Sequence, residues 1–170
     1  MTDTVAQFEH VIGICRELYA KKLKDYGPAW RILRTTSLTD QIFIKANRIR
    51  SIEMKGMSCI DEDIRSELIG IVNYGIIGLI QLNLGFSGDE DITVEQALEL
   101  YDRFMTQTKN LMYAKNHDYD EAWRLMRPTS YTDFILSKVH RTKQIEDNKG
   151  VTLVSEGVDA NYMDMVNYAL

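Results

Sequence analysis

A stretch of 29 residues occurs twice in this chain. Asp25-Tyr26-Gly27-Pro28-Ala29-Trp30-Arg31 returns as Asp118-Tyr119-Asp120-Glu121-Ala122-Trp123-Arg124, and Thr36-Ser37-Leu38-Thr39-Asp40 returns as Thr129-Ser130-Tyr131-Thr132-Asp133. Lys45, Arg48, Ile52 and Glu53 return as Lys138, Arg141, Ile145 and Glu146. Every pair stands 93 positions apart, and 15 of the 29 positions from 25 to 53 are identical. The fold is therefore one supersecondary unit used twice, each copy covering apolar surface that the other cannot bury alone. The duplication also serves as an alignment of two sequences inside one molecule. Both copies keep Asp, Tyr, Trp, Arg, Lys and Glu as well as apolar residues. A purely structural repeat needs mainly its apolar positions, so the shared polar set points to a site.

With 170 residues, 45% of them apolar, the chain suffices for one domain, or two small ones that lean on each other, with a real core. The net charge of −5 mixes both signs, and no half is strongly basic. That argues against duplex nucleic acid as the main partner, because neutralising its phosphates takes clustered Lys and Arg; a small anion such as a nucleotide is not excluded. Cys15 and Cys59 have no metal-ligand spacing and are not repeat equivalents. They read as reduced core thiols of a cytoplasmic protein, and the N-terminus has no signal peptide. Leu68 to Phe86 is apolar and about long enough to span a bilayer. It also contains Asn73, Tyr74, Gln81 and Asn83 and has no basic flank at its far end. It is expected to be a buried central helix, with no membrane as partner.

Two prolines and few strand-like alternations predict an all-α chain. Thr4 with Gln7, and Thr93 with Gln96, have capping-box spacing for the first helix of each copy. Ser37 with Asp40 and Ser130 with Asp133 predict the starts of middle helices over about 39–54 and 132–147. Gly56 and Gly150 are placed to end them. Ser58 with Asp61 predicts the third helix, about 59–83; its counterpart is fainter, with Val72-Asn73-Tyr74 returning 94 positions on as Val166-Asn167-Tyr168. The chain ends at Leu170, two turns before the equivalent of the first copy's third helix would, so that helix is expected to be short. The expected architecture is a tandem duplication of a three-helix unit, repeat one over 1–86 and repeat two over 87–170. The two pack as a pseudo-two-fold helical bundle with the third helices at its centre.

Candidate chemistry clusters on these helices. Lys45 lies on the apolar stripe of Ile42, Ile49 and Ile52, with Arg48 beside it, and Lys138 with Arg141 repeats the arrangement. A lysine on a core-facing stripe must pair or snorkel. Two readings stand: an internal ion pair with acids of the third helix, or a clamp for phosphates. On the third helix Asp63, Glu67, Gly70 and Asn73 share a face, and the second copy reads Asn161, Asp164, Asn167 there. Acids one turn apart suit magnesium, which takes hard oxygen ligands; a solvated acidic first turn is the plainer alternative. Trp30 and Tyr26 either fill core or offer a stacking surface to a base. The three histidines do not recur and receive no role.

The run Lys22-x-x-x-Tyr26-Gly27-x-x-Trp30, then Lys45-x-x-Arg48, then Glu67 leading to Asn73-Tyr74, resembles the family called nucleotide modification associated domain 1. Tyr119, Trp123, Lys138, Arg141, Asp164, Asn167 and Tyr168 carry the likeness in the second copy, so it covers nearly the whole chain. More distantly, the arrangement is similar to the all-α, MazG-like nucleoside triphosphate pyrophosphohydrolases, which hold magnesium between a Glu-x-x-Glu helix and a Glu-x-x-Asp helix. The resemblance implies a nucleotide-binding protein with Mg2+-dependent pyrophosphohydrolase chemistry, linked to nucleotide or base modification. Glu67 and Glu53 would be the catalytic acids, and Asp63, Glu67 and Asp164 the metal ligands. Lys22, Tyr26, Trp30, Lys45, Arg48, Asn73, Lys138 and Arg141 would contact the nucleotide. Neither acidic motif is complete here, so the alternative is a nucleotide-binding or assembly module without turnover. A homodimer is compatible with either.

The copies are unequal. Asp120 replaces Gly27 and Asn161 replaces Glu67. One principal site is therefore expected on the first repeat, with Asp164 the one acid contributed by the second.

Overall fold

The computed structural model describes residues 2–55, 61–85, 87, 91–119, 125–147 and 158–170. Six α-helices follow in order: α1 (Thr2–Tyr26), α2 (Thr35–Lys55), α3 (Asp61–Leu84), α4 (Val94–Tyr119), α5 (Pro128–Asp147) and α6 (Val158–Ala169). A 3-10 turn, Ala29–Ile32, stands between α1 and α2, and no strand occurs among the described residues. The chain is all-α, with three helices in each repeat.

Helix boundaries follow local chemistry. Thr93 and Gln96 form the predicted reciprocal box at α4: the Gln96 amide donates to Thr93 Oγ1 (3.1 Å) and the Thr93 amide to Gln96 Oε1 (2.9 Å). α1 already runs from Thr2, upstream of the start expected at Thr4. Ser37 and Ser130 are not caps. α2 begins two residues earlier, because the Arg34 carbonyl accepts from the amides of Ser37 and Leu38. α5 begins at Pro128, where a preset φ and a missing N–H suit the first helical position. α1 closes on Gly27, whose φ of 64° lies in the left-handed region and whose amide donates to the Leu23 carbonyl at 2.8 Å. Gly85 closes α3 in the same manner. The predicted ends at Gly56 and Gly150, the Ser58 cap and Cys59 lie outside the described residues.

Ile12, Cys15, Tyr19 and Leu23 of α1 and Ala97, Tyr101, Met105 and Thr108 of α4 are the buried stripes of the outer helices. Ile42, Ala46 and Ile49 of α2 match Ile135, Val139 and Thr142 of α5, and Leu38 and Ile145 extend the two buried stripes. α3 is buried nearly all round from Ile71 to Gln81, as a core helix must be. Its segment Ile64–Leu84 is long and apolar enough to cross a membrane by length and composition, but more than half of it is covered by protein. It packs on α2 and along α6, while α5 packs on α6 and α2 along α5. Close approach of the two central helices depends on glycine: a Cβ at Gly78 would stand 2.8 Å from the Tyr162 ring.

Contacts between the repeats come in matched pairs. Arg16 binds Asp102 (2.7 Å) and Lys109 binds Glu9 (2.7 Å), joining α1 and α4. Arg50 binds Asp133 (2.7 Å) and Lys143 binds Asp40 (3.6 Å), joining α2 and α5. In each case the second pair is the first with both residues replaced by their counterparts 93 positions away. Contacts that interchange in this manner are what a two-fold relation between repeats requires. The same pairs account for Asp40 and Asp133, which the sequence offers as helix caps: each reaches across to a cation of the other repeat.

Candidate functional site

A cleft of about 360 Å3 opens in the first repeat between α1, the 3-10 turn, α2 and α3. Lys22 and Tyr26 from α1, Trp30 from the 3-10 turn, Lys45 from α2, and Gly70, Asn73 and Tyr74 from α3 all line it. Five of the residues predicted from sequence, Lys22, Tyr26, Trp30, Lys45 and Asn73, are thus brought together. No carboxylate is among the lining residues. Lys22 is exposed and has no hydrogen-bond or ion-pair partner among the described residues. Lys45 lays its stem against Gly70, where a Cβ would stand 2.7 Å from Lys45 Cε, and its ammonium lies 5.7 Å from the centre of the Tyr74 ring. An aromatic face at that range favours the charged amine. Tyr26 stands at the rim, 68% exposed.

The wall that carries Trp30 is held from behind. Arg31, next in sequence, is buried and binds Gln81 Oε1 at 2.6 Å, the Gly85 carbonyl, and Asp91 at 2.9 Å. Gln81 returns its amide nitrogen to the carbonyls of Arg31 (2.9 Å) and Leu33 (2.6 Å). The Ser87 amide adds a bond to the Arg31 carbonyl. The connector between the repeats therefore buckles onto the turn that presents the tryptophan. Trp30 leans on Tyr19, ring centres 6.5 Å apart. Gln81 is a positioning residue that sequence reasoning does not find, since a glutamine inside an apolar run has no periodic signal.

Asn73, besides lining the cleft, ties helices together. Its amide donates to the Cys15 carbonyl (3.1 Å) and its oxygen accepts from Tyr101 (2.7 Å). Asn167 donates to the Thr108 carbonyl at 3.1 Å, and 15 and 108 are again 93 apart. Both copies keep this asparagine because it ties the third helix to the first. Cys15 itself is buried, and loss of hydration pushes its thiol up to about 11.

Among the described side chains, Glu67, Asp164 and Glu53 each have partners of their own. Glu67 is paired with Lys45 (3.4 Å) and with Arg48 (2.5 Å), the internal ion pair that is one of the two readings for that lysine. Asp164, buried, does not reach the first-repeat cleft residues; its two oxygens lie 3.0 Å from Lys115 and 3.0 Å from Lys138. Lys115 is the counterpart of Lys22, and the 93-residue offset alone is the signal that finds it. Arg141 lies half-buried on α5, one turn after Lys138. Glu53 stands apart from the cleft and accepts from Thr132 across the repeat boundary. The side chain of Asp63, and those of Tyr119 and Trp123, lie outside the described residues. No three His, Cys, Asp or Glu side chains cluster for a metal among the described residues. Of the candidate ligands, Glu67 and Asp164 each already carry two cations.

The family model described as nucleotide modification associated domain 1 matches residues 22–82 and again 115–170, one segment in each repeat. No curated protein and no solved structure matches the chain.

Proposed function

The chain belongs to the nucleotide modification associated domain 1 family, and we propose that its first-repeat cleft binds a nucleotide. The observation that carries the reading is the pairing of two lysines, Lys22 and Lys45, with aromatic walls and no lining carboxylate. A phosphate chain supplies charge for the two ammonium groups, and a flat base supplies surface for Trp30 or Tyr26. At about 360 Å3 the cleft is at the lower end of the range for small-molecule sites.

Binding is preferred here to turnover. Hydrolysis of the kind carried out by the all-α pyrophosphohydrolases needs carboxylates free to hold magnesium. Glu67 and Asp164 are instead neutralised by lysine and arginine, and the cleft needs no protein-held metal to attract phosphates.

Thermal-shift and calorimetric titrations with nucleoside and deoxynucleoside mono- and triphosphates, run with and without magnesium, test this directly. Stabilisation that persists in a chelator and is lost in Lys22→Ala and Lys45→Ala supports binding. Release of pyrophosphate or phosphate that disappears in Glu67→Ala would instead establish the hydrolase. No response to any nucleotide would remove the reading altogether.

A further inference from the structure

The two repeats place equivalent lysines around non-equivalent floors. In the first, Lys22 and Lys45 line one cleft with Gly70, which has no side chain and against which Lys45 lies. In the second, the equivalents Lys115 and Lys138 face Asp164, which stands where Gly70 does at the third helix's 94-residue offset. Asp164 is 5% exposed, and it bridges: one oxygen goes to Lys115 and the other to Lys138, each at 3.0 Å. A carboxylate so held is an oxyanion with its oxygens shared between two ammonium groups, the arrangement a phosphate adopts between two lysines. The first cleft has no such filler. Lys22 has no partner among the described residues, and Lys45 reaches Glu67 only at 3.4 Å, while Glu67 sits closer to Arg48, at 2.5 Å. Glu67 can thus keep a cation when Lys45 turns to a ligand.

We infer that Asp164 is a built-in anion that closes the second repeat's site, and that its place marks where a ligand phosphate sits in the first, above Gly70 between Lys22 and Lys45. The inference rests on the cleft being an anion site and adds to it a position and a stoichiometry. One oxyanion group binds per chain. The carboxylate of Asp164 holds the corresponding position between the second pair of lysines.

The probe is inorganic pyrophosphate, titrated calorimetrically in chelator into the full chain. Wild type is expected to take one equivalent. Asp164→Asn removes the charge with little change of shape and is expected to take two, the additional one lost again in Asp164→Asn/Lys138→Ala. Gly70→Asp puts the carboxylate into the first cleft; Lys45 can swing aside because only the end of its flexible chain meets the new Cβ. That variant is expected to weaken wild-type binding by at least about tenfold. A single equivalent in Asp164→Asn, with circular dichroism showing it folded, would overturn the inference, as would unaltered binding in Gly70→Asp. Should Asp164→Asn not fold, Gly70→Asp decides alone. Failure of the underlying reading looks different: wild type takes up no pyrophosphate at all. In that event a site gained in Asp164→Asn would still support the closing role of Asp164.

Discussion

Glu53 accepts a hydrogen bond from Thr132 at 3.2 Å, and the exchanged pair, Glu146 from Thr39, has the same length. Glu53, which on sequence grounds is a candidate acid for chemistry, and its counterpart Glu146 thus join α2 to α5. Their surroundings are not the same. The Thr39 hydroxyl also meets the Tyr162 hydroxyl at 2.6 Å, and Tyr162 donates to the Thr35 carbonyl at 2.9 Å.

That difference bears on pH. Burial raises the Glu146 carboxyl above its ordinary value; the Thr39 bond and Lys143 oppose the shift, while Asp40 and Asp147 add to it. A raised carboxyl binds its proton more tightly folded than unfolded, so stability falls as pH rises through the interval between the unfolded and folded values. Glu146→Gln keeps an acceptor for Thr39 and removes the charge. It is expected to melt higher than wild type at pH 7, with the gap closing as the pH drops below the ordinary carboxylate range. Melting curves from pH 4 to 8 check this; a variant less stable at pH 7 would contradict it.

Tyr101 gives a second prediction. Its hydroxyl completes Asn73, whose oxygen would otherwise be a buried acceptor without a donor. Asn167 shows the alternative: its oxygen is buried with no partner, and Phe8 stands 93 residues before Tyr101 in the equivalent place. Tyr101→Phe is expected to cost about 1–3 kcal/mol of unfolding free energy in urea, the usual cost of stranding such a group. Nucleotide affinity should hold, since the tyrosine does not line the cleft.

The lysines of the two copies should not be equivalent in binding. Lys45→Ala is expected to abolish most affinity for nucleotide, and Lys138→Ala to leave at least half of the binding free energy, because Lys138 is already engaged by Asp164. Equal losses by calorimetry would show the clefts to be alike.

The buckle behind Trp30 can be tested separately. Gln81→Leu removes the amide that holds the carbonyls of Arg31 and Leu33 and leaves the buried Arg31 short of an acceptor. A destabilisation of about 2–4 kcal/mol is expected, given that charged groups lose more than neutral ones when unpaired. A red-shifted Trp30 emission, measured with Trp123→Phe as background, should accompany it. Stability lost without a change in emission would mean that the buckle holds the chain but not the tryptophan.

Much of this architecture is legible in the amino-acid order. Apolar spacing locates six helices, and the constant offset implies that α2 and α5 match residue by residue. Direction is what such spacing does not carry. Asp40 and Asp133 satisfy the spacing of a cap, yet their carboxylates are drawn to Lys143 and Arg50 of the opposite repeat. Glu67 and Asp164 share a helix face with metal-binding patterns, but which cation reaches them depends on how α2 and α5 lie against α3 and α6. Asn73 also bonds a carbonyl of α1, a contact that spacing does not foretell. The cleft residues stand out because aromatic and cationic positions recur together. Lys115 recurs with Lys22, but its pairing with Asp164 is not foretold, because the first copy has Gly70 at that place.

The pairs Arg16 with Asp102 and Glu9 with Lys109 contain no partner that a second, identical molecule could not supply. Two separate chains, each bearing one repeat, could make every such contact, but only at concentrations high enough to meet. Covalent fusion replaces that encounter with a fixed local concentration, of the order of millimolar for a short tether. Assembly then no longer depends on dilution, and the halves are released from having the same sequence. One half can surrender its binding surface to an internal carboxylate and still serve as the partner that keeps the other folded, a division of labour closed to any dimer of identical subunits.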